Sequence, residues 1–243
     1  MKLAKPHVDV GVLTNALEPM LIFWQRVVGL PFEEMLPLGR GLQQHRHGMN
    51  GSIFKLNHAR DPLSDVPLAG YRELWIAREG LAERRALVDP DGNRVVLVPR
   101  GDGGVEGIGV RLAVRDEAAF HRFYRRALGL EVAGPNAYRC GDSILSFAPD
   151  PAAPGDTAWT GRGYRYVTIQ VFDVDSVHHA VLERGGREGR PPITLGTVAR
   201  VSFVRDPDGN WIELWQRASL TGPLPPGGVE RLDAPLAPAS SVR

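Results

Sequence analysis

The chain of 243 residues contains a single cysteine, Cys140. One cysteine can form neither an internal disulfide nor a cluster of metal-binding thiolates. The sequence also lacks any apolar run that approaches the roughly 20 residues needed to span a bilayer. Its first residues enter a strand pattern without the apolar core of a signal peptide. From these absences we expect a cytoplasmic protein that does not insert into membranes.

The sequence also lacks a large excess of positive or negative charge, because it contains 29 lysines and arginines and 28 aspartates and glutamates. Proteins that bind nucleic acid or an anionic membrane surface usually carry a basic surplus. We therefore expect neither nucleic acid nor a membrane as a partner. The apolar fraction of 43% and the charged fraction of 23% are those of a globular domain.

What the sequence does contain is internal repetition. The pentapeptide Asp-Pro-Asp-Gly-Asn occurs at 89–93 and again at 206–210, and an apolar strand pattern follows each copy. A second pair of similar segments lies at 23–30 and 123–130. Since the repeats recur in a similar setting, they indicate a duplicated architecture. The pentapeptide itself is typical of a turn between antiparallel strands.

Four modules follow from these repeats, each predicted as strand–helix–strand–strand–strand. In module one the helix begins after Asn15 as N-cap and ends at Gly29. Asp116 and Asp173 are the predicted caps in modules three and four. Module two is reduced, because residues 79–86 leave room for only a turn or two of helix.

We expect neighbouring modules to form domains. Residues 1–99 would then be an N-terminal domain of modules one and two, and residues 107–217 a C-terminal domain of modules three and four. Residues 100–106 are rich in glycine and predict a linker. Residues 218–243, rich in proline, glycine, alanine and serine, predict a disordered tail.

Two segments carry a resemblance to a known family. Residues 123–130, after a strand and helix, and residues 203–214, around the second pentapeptide, resemble the vicinal oxygen chelate superfamily. Glyoxalase I, bleomycin-resistance proteins, extradiol dioxygenases and methylmalonyl-CoA epimerase belong to it. The resemblance implies an α+β fold in which tandem βαβββ modules pair into two curved-sheet, glyoxalase-like domains. It also implies a small-molecule substrate or ligand, and metal ligands on the first and last strands of each module.

In the C-terminal pair those implied ligand positions fall on Gly109, Ser146, Tyr166 and Glu213. One carboxylate and one phenol are a poor site for a divalent metal, since an extradiol facial triad needs two histidines and a carboxylate. Glu213 shares a strand face with Trp211 and Trp215. It is either a general base without a metal or an ion-paired residue, with Arg111 or Arg200 as partner.

In the N-terminal pair the implied positions fall on Asp9, Lys55, Glu73 and Val96. An ammonium group of Lys55 between the carboxylates of Asp9 and Glu73 would take the charge role of a metal. Such a cluster is either a buried structural ion network or an acid–base site.

Histidines offer an unconventional alternative. His45 and His47 alternate on one strand face, and His7 lies two residues before Asp9. We predict no cofactor; if a metal binds, it is iron or zinc at His7, His45, His47 and Glu73. The other interpretations are imidazoles that hydrogen-bond or face solvent, and imidazoles that transfer protons without a metal.

Three hypotheses for function remain. The first is an isomerase, epimerase, lyase or ring-opening enzyme that uses proton transfer and an enolate, with catalytic residues His7, Asp9, His45, His47, Lys55, Glu73 and Glu213. The second is a metal-free, bleomycin-resistance-like protein that binds an apolar ligand against Trp75, Tyr166, Trp211 and Trp215. The third is an extradiol-type dioxygenase at the histidine site. Module exchange between subunits, common in this superfamily, makes a homodimer one option.

Overall fold

The structure is a computed structural model that describes residues 1–226 and the short strand at 228–229. Its strands in chain order are β1 Asp9–Thr14, β2 Phe32–Gly39, β3 Leu42–Met49, β4 Ser52–Ala59, β5 Tyr71–Arg78, β6 Arg85–Val88, β7 Arg94–Pro99, β8 Ile108–Val114, β9 Glu131–Gly134, β10 Ala137–Cys140, β11 Ser143–Pro149, β12 Gly163–Gln170, β13 Arg187–Leu195, β14 Ala199–Arg205, β15 Trp211–Arg217 and β16 Gly228–Val229. The helices are α1 Leu17–Ile22, α2 Glu117–His121, α3 Val174–Glu183 and α4 Ala218–Thr221. Helices α1 and α2 continue as π-helical turns at Phe23–Val27 and Arg122–Ala127.

The strands form two sheets, which confirms the α+β fold with two curved sheets. The nine-stranded sheet has the order β16-β13-β14-β15-β12-β1-β4-β3-β2, and the seven-stranded sheet has the order β6-β7-β5-β8-β11-β10-β9. Module one therefore joins module four through antiparallel β1 and β12. Module two joins module three through antiparallel β5 and β8.

The predicted pairing of neighbouring modules is wrong. Strands β1 and β12 are buried along their whole length, so each needs a partner on both edges. Their apolar pattern demands burial but does not name the partner. The predicted linker also belongs to the fold, since Val105 is fully buried against the seven-stranded sheet with Val96 and Ile144. One apolar core contains residues of all four modules.

The observed helix caps agree in part with those predicted from the sequence. Asp116 and Asp173 cap their helices by accepting hydrogen bonds from the backbone N–H groups of Ala119 and Ser176. Asn15 does not cap α1; its side-chain amide donates to the carbonyl groups of Ala59 and Asp61 instead. In module two, residues 79–84 form a turn without a helix.

Part of the predicted disordered tail has regular structure, because α4 is helical and β16 pairs with β13. Residues 227 and 230–243 lie outside the described part of the chain. Among the described residues, no helix is both long and apolar enough to cross a membrane. The cytoplasmic location and the homodimer stay predictions.

The repeated pentapeptide does more than turn the chain. In its second copy the buried Asp206 accepts hydrogen bonds from the backbone N–H groups of Asp208 and Asn210. The side chain of Asn210 then accepts a hydrogen bond of 2.7 Å from the N–H of Gly70, just before β5. A turn of the nine-stranded sheet is thereby attached to the seven-stranded sheet.

The same turn gives the protein an expected pH dependence. Burial raises the pKa of Asp206 from 3.8 to about 6, so the folded state holds this proton more tightly than the unfolded state. The resulting stability is complete below about pH 4 and is lost as the pH rises through 6, a change of about 3 kcal/mol. Denaturant titrations at several pH values should show this loss in the wild type. Asp206→Asn should remove this dependence of the free energy of unfolding on pH. An unchanged dependence would contradict its assignment to Asp206.

Candidate functional site

A cavity of about 840 Å³ lies on one face of the nine-stranded sheet. The opposite face packs against helix α1 and its π-helical turn, where Trp24 stacks on Phe54 of β4. Because side chains alternate along a strand, Lys55 and Asn57 of β4 project into the cavity. Aromatic and aliphatic side chains form much of the wall, among them Leu13, Leu42, Trp159, Phe203 and Trp215.

A buried ion pair lies in the cavity wall. The Lys55 ammonium donates to Glu213 Oε2 at 2.8 Å and to Thr168 Oγ1 at 2.7 Å, and the threonine hydroxyl donates to the same carboxylate oxygen at 2.5 Å. Lys55 is only 4% exposed and Glu213 only 6%. The two residues are 158 positions apart in sequence. They meet because module one joins module four in this sheet.

The ion pair keeps unused hydrogen-bonding capacity. An ammonium group has three donors, and two of those of Lys55 are occupied. Oxygen Oε1 of Glu213 accepts no hydrogen bond from any residue that the structure describes. Both side chains line the cavity, so one N–H and one carboxylate oxygen are available to a bound molecule.

Tyr166 adds a second donor. Its phenolic oxygen accepts hydrogen bonds from the side-chain amides of Asn57 at 3.2 Å and Gln44 at 3.5 Å. Burial, and then the charge of Glu213, raise the pKa of this phenol well above its usual value. The hydroxyl therefore keeps its proton at neutral pH. Trp159 stacks on the ring from the cavity side, with ring centroids 4.7 Å apart.

The Tyr166 ring occupies space that only a glycine leaves free. A Cβ atom at Gly11 would lie 2.1 Å from a ring carbon of Tyr166. We expect Gly11→Ala to lower the free energy of unfolding by about 1–3 kcal/mol, as measured by chemical denaturation. Gly134→Ala is the control, since its Cβ would have only an ordinary contact at 3.8 Å.

The same substitution can be tested for its cause. In a Tyr166→Leu background the ring is gone, so Gly11→Ala should lower the free energy of unfolding much less than it does in the wild type. An equal cost in both backgrounds would show that the tyrosine ring is not what Gly11 accommodates.

Several predicted site residues meet at this cavity. Asp9, Lys55, Tyr166, Glu213 and Trp215 all line it. Asp9 does not bind Lys55: its carboxylate accepts hydrogen bonds from the N–H of Ile53, the Lys5 ammonium and the Gln170 amide. Trp211 packs against Trp159 and Phe203, which line the cavity.

Glu73 and Trp75 lie elsewhere, so the predicted contact of Lys55 with Glu73 is wrong. Both residues are on β5 of the seven-stranded sheet, where Glu73 pairs with Arg94 at 2.9 Å and accepts a hydrogen bond from the indole of Trp75. Val96 and Val105 pack on this face beside Trp75. The error follows from the module pairing, because β4 and β5 belong to different sheets.

The predicted histidine site is not assembled. His45 and His47 share a strand face, but it is the helix face, where His47 Nε2 lies 3.1 Å from Gln25 Nε2. Burial lowers the pKa of His47 to about 4 and also lowers that of His45. His7 contacts Asp142, which lies in the turn between β10 and β11 of the seven-stranded sheet. Within residues 1–226 and 228–229, no group of three or more His, Cys, Asp or Glu side chains is arranged to hold a metal ion.

The donor set at the cavity does not fit a divalent metal. The positions from which the resemblance takes metal ligands are occupied in this sheet by Asp9, Lys55, Tyr166 and Glu213. The Lys55 ammonium already provides the positive charge beside the Glu213 carboxylate. A dication there would face electrostatic repulsion from that ammonium. The expected partners of Glu213 also differ, because Arg200 pairs with Asp175 and Arg111 lies on β8 of the other sheet.

The residues of this site that the sequence did not predict include Gln44, Arg46, Asn57, Trp159 and Thr168. The polar alternation of 44 with 46 and of 55 with 57 is a signal that was present. Trp159 lies in the loop between β11 and β12, and no periodic pattern marks it.

Comparisons with known proteins agree with this architecture. The family described as "Glyoxalase/Bleomycin resistance protein/Dioxygenase superfamily" matches residues 108–214. "Putative glyoxylase CFP32" from Mycobacterium tuberculosis and Mycobacterium bovis is 30% identical over 118 residues. That match covers 44% of this chain and 44% of the relative, so it spans less than half the length of the curated protein.

Solved structures share the fold over most of the chain. Glyoxalase I from Zea mays has a TM-score of 0.68 at 18% identity and covers 86% of this chain and 92% of its own. A "putative dioxygenase" from Bacillus subtilis subsp. subtilis str. 168 has a TM-score of 0.64 at 13% identity, and the match covers 93% of this chain and 87% of that one. At these identities the likeness shows the fold alone.

Proposed function

We propose that this protein, whose residues 108–214 match the Glyoxalase/Bleomycin resistance protein/Dioxygenase superfamily, is an enzyme that moves a proton at a carbon next to a carbonyl group. The substrate is a small, mainly apolar molecule bound in the cavity of the nine-stranded sheet. One observation carries this proposal: the buried Lys55–Glu213 pair with an unused N–H and an unused carboxylate oxygen.

Lys55 acts on the carbonyl oxygen. Its remaining N–H donates to that oxygen, and its positive charge stabilises the enolate that forms when the neighbouring carbon loses a proton. The Tyr166 hydroxyl is a second donor on the same cavity wall. The apolar surroundings of both groups strengthen these interactions, because little water is present to screen them.

Glu213 takes the proton. Its Oε2 is held by Lys55 and Thr168, which leaves Oε1 to act as the base. The proton then returns from the carboxyl group to another carbon or to the other face of the same carbon. Bonds and charges balance without an oxidant or reductant, and the net reaction is an isomerisation or epimerisation.

The test is hydrogen exchange. Purified protein is incubated in D₂O with a panel of small ketones and aldehydes that carry aromatic or aliphatic substituents, and loss of the α-proton signal is followed by NMR. We expect at least one carbonyl compound to exchange faster than in buffer, while its alcohol counterpart does not exchange. If carbonyl compounds of the panel bound the cavity, as detected by quenching of tryptophan fluorescence, and none of them gained exchange, the proposal would be contradicted.

Binding without turnover is the second candidate. It is favoured by the aromatic wall of Trp159, Phe203 and Trp215 beside a polar network whose members already hold one another. In that case the same panel should include tight ligands, and none of them should exchange its α-protons.

A further inference from the structure

Arg46 is a second cation beside Lys55. The two residues lie directly opposite each other on antiparallel β3 and β4, and both line the cavity. Cβ atoms of such cross-strand pairs are about 4.5–5.5 Å apart, and like charges in this position repel each other. An anion near both side chains would relieve that repulsion.

The partners of Arg46 leave part of its guanidinium group unused. Its Nε lies 3.0 Å from a carboxylate oxygen of Glu34 but makes no hydrogen bond to a described residue, and one Nη donates to the Gln44 side chain at 3.2 Å. The other Nη donates to no residue in the described part of the chain. The Arg46 side chain is only 13% exposed, whereas that of Glu34 is 46% exposed. A partly hydrated glutamate therefore accompanies a largely buried arginine.

Positive charge exceeds negative charge in the cavity wall. Three cationic residues line it, namely Arg46, Lys55 and Arg217, against the two carboxylates of Asp9 and Glu213. Asp9 is already paired with Lys5, and Glu213 with Lys55. The surplus is thus carried by Arg46, whose partner Glu34 is 46% exposed, and by Arg217 at the end of β15.

We propose that the molecule bound in this cavity is a short oxo acid with an apolar substituent, and that Arg46 binds its carboxylate. This identification of the substrate class rests on the function proposed above. The planar guanidinium matches a carboxylate with two parallel hydrogen bonds. With Lys55 on the carbonyl oxygen and Arg46 opposite it, the carboxylate lies next to the carbonyl carbon, and the apolar substituent contacts the aromatic wall.

The probes are two ketones that differ in one group. In 2-oxo-4-phenylbutanoate a carboxylate is attached to the carbonyl carbon, and in 4-phenylbutan-2-one a methyl group replaces it. Affinity is measured by calorimetry and tryptophan fluorescence at low and moderate salt. We expect the wild type to bind the oxo acid at least about tenfold more tightly than the ketone, with a smaller preference at higher salt.

Two substitutions should act in opposite directions. Arg46→Gln should remove most of the preference for the oxo acid and leave the affinity for the neutral ketone within about twofold. Glu34→Gln removes the competing carboxylate, so it should raise the affinity for the oxo acid by about twofold to fivefold. Arg26→Gln is the charge-matched control, because Arg26 is exposed on the π-helical turn that follows α1, and it should change neither affinity.

Three outcomes would overturn this assignment. They are equal wild-type affinity for the two probes, an equal loss of affinity for both probes in Arg46→Gln, and a loss of affinity for the oxo acid in Glu34→Gln. Failure of the general function has a different signature. The neutral ketone tests it separately, because its α-proton exchange depends on Glu213 and Lys55 and needs no carboxylate.

Discussion

Replacing Lys55 by methionine is expected to lower the free energy of unfolding by about 3–5 kcal/mol. The substitution conserves most of the side-chain volume but leaves the Glu213 carboxylate 6% exposed without its cation. A buried charge without a partner is costly, because the protein cannot replace the lost hydration. Chemical denaturation at pH 7 measures the effect.

A double-mutant cycle separates the ion pair from other consequences of the substitution. Lys55→Met, Glu213→Gln and the double variant are compared with the wild type. We expect the double variant to be more stable than the sum of the single effects predicts, with an interaction free energy of about 1–3 kcal/mol. Additive effects would mean that the contact of 2.8 Å between these side chains contributes nothing to folding.

Glu213→Gln is expected to reduce catalysed α-proton exchange by a factor of about 10²–10⁴. The amide keeps the shape of the carboxylate and can still accept hydrogen bonds from Lys55 and Thr168. It cannot accept a proton from carbon at a useful rate. Ligand affinity should therefore remain within a few-fold of the wild type. NMR exchange rates and fluorescence titrations on the same samples distinguish the two effects.

The matched control is Glu73→Gln. This glutamate is on the first strand of module two and pairs with Arg94 outside the cavity, so its amide variant should exchange the probe at the wild-type rate. Thermal unfolding of both variants shows whether the fold is intact. If Glu213→Gln retained its exchange rate, or if Glu73→Gln lost it, the base would have to be another residue.

Local patterns predicted the modules well, because helix caps and turns depend on nearby residues. Asp116 and Asp173 cap the helices that their spacing predicted. Gly29 and Gly129 have positive φ values at the expected helix ends. Asn15 does not cap α1, because its side-chain amide donates to the carbonyl groups of Ala59 and Asp61. No local pattern indicates that contact.

The site was predicted less well than the elements that carry it. The ligand positions implied by the resemblance identified Lys55 and Glu213 as residues of interest, yet assigned them to different pockets. His45 and His47 share a strand face as predicted, but that face meets the helix and not the cavity. A period of two tells which residues share a face but not which face meets the helices. One reversed assignment moves a whole row of candidates away from the cavity.

The sequence by itself determined the number of modules, most of their helix ends, and the scarcity of metal ligands at the positions implied by the resemblance. These properties reside in residue types and in short spacings. Only the tertiary structure decided that module one joins module four, because strands β1 and β12 are buried along their whole length and any strand that paired with their backbone edges would satisfy them. That choice brings Lys55 to Glu213 across 158 residues and sends Glu73 to the other sheet.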